Sequence, residues 1–144
     1  MTKTIFIIGA STSIGRATAK LFAAKGWKVI ATMRKPENET ELNVRDNVTV
    51  LPLDVTNATQ IRETTQQTLA LGDIDLVFNN AGYELFGALE AMTDEQLVHQ
   101  METNFFGVVR VTQAFIPYFR ERKAGLFITT GSSAGLMTFP VSSM

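Results

Sequence analysis

Apolar residues along this chain fall into short runs: Ile5-Phe6-Ile7-Ile8, Val29-Ile30-Ala31, Val48 to Leu51, Leu76-Val77-Phe78 and Leu126-Phe127-Ile128. Runs this short and continuous fit strands buried on both faces, and stretches of helical length separate them. Strands alternating with helices imply a parallel sheet covered on both sides. The predicted fold class is therefore α/β, a doubly wound parallel sheet.

The intervening periodicity places the helices. Ile14, Ala17, Leu21 and Ala24 share one face of a helix expected over Ser13–Lys25, with Gly26 at its C-terminal cap. A second helix is expected from Thr56 to Leu71, opened by Thr56-Asn57 and closed by Gly72-Asp73. Thr93-Asp94-Glu95-Gln96 has the spacing of a capping box, and the third and longest helix follows to about Arg122. Its apolar stripe is Leu97, Met101, Phe105, Val108, Thr112, Phe115 and Phe119, with a bend expected near Asn104 or Pro117. Arg34 to Asn47 is polar and contains Pro36, so a surface connection with at most one short turn is expected. No linker divides residues 1–144, which read as a single domain.

Composition narrows the class of function. An apolar fraction of 45% and ten Phe suit a packed core. No apolar run approaches the ~20 residues that span a bilayer, and no export signal is seen, so a cytoplasmic protein is expected. Thirteen basic against fourteen acidic residues leave a net charge of −1, which gives no broad field for nucleic acid or an anionic membrane. Without Cys, and with His99 as the lone His outside any carboxylate cluster, neither thiolate chemistry nor a metal site is expected.

The chemistry starts in Gly9-Ala10-Ser11-Thr12-Ser13-Ile14-Gly15, a glycine-bearing turn between the first strand and the first helix. A helix N-terminus offers free N–H groups and the positive end of its dipole to a phosphate. Gly9 would allow the tight turn and Gly15 close packing of helix on strand. An ordinary strand-to-helix turn would share this pattern. A triphosphatase P-loop would continue into Gly-Lys-Ser/Thr, which is absent. A methyltransferase-like loop asks for an acidic residue at the end of the second strand, where Ala31-Thr32-Met33-Arg34 stands.

Together with four further motifs, this turn resembles the classical short-chain dehydrogenase/reductase family over the whole chain. Gly9 to Gly15 resembles the family's Gly-x-x-x-Gly-x-Gly cofactor loop, which implies cofactor contacts from Gly9, Ser11, Thr12, Ser13, Ile14 and Gly15. Leu53-Asp54-Val55 resembles the adenine-contacting segment, and Asn79-Asn80-Ala81-Gly82 the Asn-Asn-Ala-Gly motif after the fourth strand. Asn104 matches the structural and catalytic Asn of the long helix, and Ser132 the catalytic Ser. For Asp54 an Asx turn or helix cap is an equal alternative; for Asn80-Ala81-Gly82, a plain turn; for Asn104, a solvent-facing side chain. No catalytic role is assigned to Tyr83 or His99.

The resemblance implies hydride exchange between a nicotinamide and a carbonyl or secondary alcohol carbon. In the family a carboxylate ending the second strand receives the adenosine ribose of NAD; Met33 and Arg34 stand in that region here. NADP is thus expected over NAD, with Arg34 on the extra phosphate. Ser13 departs from the family's glycine, and weaker cofactor binding is expected from its Cβ.

The family's catalytic Tyr follows the Ser by about thirteen residues, with a Lys about one helical turn further on, which places both just past Met144. The chain is therefore expected to be the N-terminal portion of such an enzyme, inactive by itself; the alternative is a non-catalytic nucleotide-binding or interaction module. A homo-oligomer is implied for a full-length form. Gly135 to Pro140, with Tyr83, Leu85 and Phe86, suggests an apolar wall for a lipophilic carbonyl or alcohol.

Overall fold

The computed structural model describes residues 2–137. Five parallel strands are ordered β3-β2-β1-β4-β5: β1 Thr4–Ile8, β2 Lys28–Met33, β3 Val48–Pro52, β4 Leu76–Asn79 and β5 Leu126–Thr129. Alternation along β1 divides the core. Ile5 and Ile7 face helix α1, Ser13–Ala24, together with Val29, Ala31 and Leu76. Phe6 and Ile8 face the other side, where helices α2, Ala58–Ala70, and α4, Gly107–Arg122, supply Ile61, Val111 and Phe115. The expected strands and α/β class are present.

Two expectations about burial are corrected. The face of α1 that packs on the sheet is Gly15, Ala19 and Ala23, whereas Ile14, Ala17, Leu21 and Ala24 lie outward. The reason is steric: a Cβ on Gly15 would come 2.0 Å from the carbonyl oxygen of Gly9, so the helix sits too close for large side chains on that face. Strand β5 is not buried on both sides either. Phe127 packs against Phe119, but Leu126 and Ile128 point to the opposite face and are 55% and 43% exposed.

The Arg34–Asn47 connection holds the expected short turn, a 3₁₀ helix at Pro36–Asn38. It is more than a surface link, however, because Leu42 is fully buried in the α1-side core and Glu39 is buried beside it.

The long helix is interrupted. Helix α3, Asp94–Met101, opens with the capping box of Thr93 and Gln96; residues Glu102–Phe106 then form a π-helical segment before α4 begins. Five residues per hydrogen-bonded loop in place of four shift the helical phase. The expected stripe breaks there: Met101 and Phe105 are exposed, and Gly107, Val111, Phe115 and Phe119 carry burial onward. Among the described residues no helix is long and apolar enough to cross a membrane.

Candidate active site

The turn after β1 is locked to β2. The amides of Gly9 and Ala10 both donate to the carbonyl oxygen of Thr32, at 3.1 and 2.9 Å, and the Thr32 hydroxyl donates to the carbonyl oxygen of Ile7 at 2.9 Å. Gly9 has φ +80°, and a Cβ there would lie 2.9 Å from Cα of Ala81. A glycine is required on both counts. At the start of α1 the Thr12 side chain makes no capping hydrogen bond and no acidic residue occupies the first turn. The free N–H groups of that turn are therefore open to an anion in the cleft.

Asn80 ties three loops together. Its Nδ2 donates to the carbonyl oxygen of Gly9 at 3.1 Å, and its Oδ1 accepts from the Thr130 hydroxyl at 3.1 Å. A Cβ on Gly15 would also meet Nδ2 of Asn80 at 2.7 Å, so the glycine turn and the segment after β4 are fitted to each other. Thr130 was missed in the sequence because its partner lies fifty residues away; only its place just before Gly131-Ser132 hinted at a role.

Asn104 sits in the π segment and grips the backbone of Tyr83 at both polar groups: Oδ1 accepts from the Tyr83 amide at 3.0 Å, and Nδ2 donates to the Tyr83 carbonyl oxygen at 2.7 Å. The Asn side chain thus stands in for a neighbouring strand. Ser132 Oγ accepts from the Ala134 amide at 3.1 Å and caps the 3₁₀ turn Ser133–Gly135. That capping bond spends a lone pair and leaves the hydroxyl proton available for donation.

Asp54 takes the Asx-turn form, with Oδ1 accepting from the Thr56 amide at 2.9 Å and the Thr56 hydroxyl at 2.7 Å; the cap of α2 is Asn57. Burial acts to raise the Asp54 pKa, but these two hydrogen bonds, with the charges of Arg34 and His99, outweigh it and lower the pKa. Arg34 is exposed at the same end. His99 is on the wet side of α3 as expected, yet its Nδ1 lies 2.8 Å from the Tyr83 hydroxyl and both side chains face the cleft.

One open cleft of about 1020 Å³ lies at the carboxyl ends of the strands, where the chain order switches between β1 and β4. Gly9, Ser11, Thr12, Ser13, Ile14, Arg34, Asp54, Val55, Asn80, Ala81, Gly82, Asn104 and Ser132 all line it. Gly15 does not; it lies beneath, at the contact of α1 with the turn. Leu136 and Met137 are exposed, and Phe139 and Pro140 of the expected apolar wall lie outside the described residues. Among the described residues no cluster of His, Cys, Asp or Glu is placed to hold a metal.

A doubly wound parallel sheet with an uncapped glycine turn at its switch point is a Rossmann-like fold. The chain belongs to the short chain dehydrogenase family, whose sequence profile matches residues 3–144. It is 39% identical over 137 residues to a 3-ketodihydrosphingosine reductase of Bacteroides thetaiotaomicron, covering 94% of this chain and 49% of that protein. Among solved structures it is similar to a short-chain dehydrogenase from Streptomyces avermitilis, at 34% identity and a TM-score of 0.92, covering 98% of this chain and 53% of that one. ElxO with NADP bound superposes with a TM-score of 0.92 at 26% identity, covering 99% of this chain and 60% of that one. The chain thus spans about half the length of the curated relatives it matches.

Proposed function

We propose that this chain is the cofactor-binding portion of an NADP-dependent oxidoreductase that exchanges hydride between the nicotinamide and a small carbonyl or secondary alcohol. The observation that carries the reading is the uncapped first turn of α1 facing the cleft, with Arg34 at the rim and no carboxylate at the end of β2. The turn fits a pyrophosphate, because the uncapped N–H groups at the start of α1 face the cleft and Gly9 lets the turn pack closely on Ala81 behind them. The bound dinucleotide would supply the hydride acceptor or donor.

Each chain residue then has a defined task. The first-turn amides of α1, with Ser11 and Thr12, hold the pyrophosphate. Arg34 receives the additional phosphate of NADP, and the Asp54-Val55 segment meets the adenine. Ala81 and Gly82 let the dinucleotide approach the backbone. Ser132 donates its proton to the substrate oxygen, and Asn104 keeps Tyr83 and Gly82 in place beneath it. The name of the Bacteroides relative, a keto-compound reductase, agrees with a carbonyl substrate. A lipophilic one is the further expectation; of the apolar wall expected for it, Tyr83 and Gly135 line the cleft, and Phe86, Leu136 and Met137 are exposed outside it. A cytoplasmic setting and homo-oligomerisation of a full-length form complete the proposal; exposed Phe105 and Phe106 favour association.

Two titrations test the cofactor assignment. A charge-assisted contact is worth about 1.5–3 kcal/mol, so the chain should bind NADPH about ten- to one-hundred-fold more tightly than NADH, and Arg34→Asp should remove the difference. Equal affinities in the unmodified chain would refute it.

A second reading, nucleotide binding without turnover, applies to these 144 residues taken alone. Of the two Tyr, Tyr118 donates to Asp73 and accepts from the Ile74 amide before β4, at the opposite edge of the sheet, and the Tyr83 hydroxyl is paired with His99. The expected outcome is NADPH binding with no alcohol-dependent reduction of NADP. Turnover by a chain of verified mass would show that a base within it suffices.

A further inference from the structure

Between Arg34 and Leu42 the chain makes successive tight turns: the Asn38 amide donates to the Lys35 carbonyl oxygen at 3.2 Å, and the Glu39 amide to that of Pro36 at 3.0 Å. The turns converge on the Glu39 carboxylate, whose side chain has no exposed surface. Oε1 accepts from the Glu41 amide at 2.8 Å and from the Leu42 amide at 2.9 Å. Oε2 accepts from Arg16, and Asn43 Nδ2 donates to the Glu39 carbonyl oxygen. Arg16 follows Gly15 directly in the first turns of α1. One buried carboxylate therefore joins the helix that carries the phosphate turn to the connection that carries Arg34.

The ion pairs beside the turn leave out Arg34, although its charge acts on Asp54. Glu39 and Glu41 take up Arg16, and Glu41 also pairs with Lys20. Among the described residues no carboxylate forms an ion pair with Arg34 at contact distance. The cation at the rim thus remains available while its neighbours on α1 are neutralised.

We propose that Glu39 is a positioning residue for cofactor choice: its bridge to Arg16 holds the Arg34 turn against α1, so that Arg34 stands where a 2′-phosphate on the dinucleotide arrives. The proposal rests on the assignment of Arg34 made above. A buried carboxylate suits such a task because removing the cation that pairs with it leaves an uncompensated buried charge. Without the bridge, the Arg34 turn keeps its local hydrogen bonds, the anchor of Leu42 and the more exposed pairing of Glu41 with α1, and Arg34 samples positions away from the phosphate.

Fluorescence titration with NADPH and with NADH separates the possibilities, in the unmodified chain and in Glu39→Gln, Arg16→Met, Arg34→Ala and Glu39→Gln/Arg34→Ala. The NADPH-over-NADH preference should fall at least about threefold in Glu39→Gln and in Arg16→Met, the latter serving if the former does not fold. The double variant should show no lower preference than Arg34→Ala alone. General destabilisation affects both cofactors alike and leaves the ratio unmoved. A ratio that is unchanged or raised in the folded Arg16→Met and Glu39→Gln chains, while Arg34→Ala abolishes it, overturns the role of Glu39 alone. No NADPH preference in the unmodified chain, or none lost in Arg34→Ala, overturns the assignment of Arg34 itself.

Discussion

Ser13 is the residue at which the local backbone and the side chain disagree. It opens α1 with φ +47°, in the left-handed region that glycine occupies without cost. A residue with a Cβ loses roughly 1–2 kcal/mol in this conformation, whereas glycine forfeits about 0.5–1 kcal/mol through the freedom of its unfolded chain. The first effect is the larger, so Ser13→Gly should raise stability by about 0.5–1 kcal/mol in urea unfolding and tighten NADPH binding. An unchanged dissociation constant would show that the Ser hydroxyl replaces what its Cβ obstructs. This departure was legible in the sequence, because the resemblance to the family's cofactor loop sets Ser13 where that pattern has glycine. Glu39 and the Tyr83–His99 contact were not: each depends on partners between sixteen and twenty-three residues away, which no local pattern identifies.

At the scale of elements, strand and helix positions were readable, but which face each buries was less so. Periodicity locates an apolar face by counting large side chains. Helix α1 instead packs through Gly15, Ala19 and Ala23, because close approach favours the smallest ones. In the α3–α4 region the expected bend at Asn104 takes the form of the π segment, and the extra residue there moves the stripe. The π segment also turns Asn104 toward Tyr83, where the bond that Nδ2 donates requires the amide nitrogen. Asn104→Asp places an oxygen against the Tyr83 carbonyl oxygen, 2.7 Å from the present nitrogen. A loss of about 0.5–1.5 kcal/mol is expected in denaturant unfolding, with weaker NADPH binding through displacement of Gly82.

For the molecule as a whole, acid should be the weak side. Burial acts to raise the Glu39 pKa, but hydrogen bonds from the Leu42 and Glu41 amides and from Arg16 outweigh it, so the folded-state pKa is lowered, as it is at Asp54. The unfolded chain, with ordinary values near 4.3 for Glu and 3.9 for Asp, therefore takes up protons first as the pH falls. The stability these groups contribute is fully present above about pH 5 and is lost as the pH drops through 4 and below. Urea midpoints between pH 7 and pH 3, followed by Trp27 fluorescence, should show this decline, and Glu39→Gln should flatten it.

The legible part of the site was its chain of short motifs, because all but the one at Asn104 lie at strand ends, which converge at one edge of a parallel sheet. What joins the motifs was hidden. Asn80 bonds at once to the turn after β1 and to Thr130, two residues before Ser132. Motion of the glycine turn and motion of the segment that carries Ser132 are therefore linked through a single amide side chain.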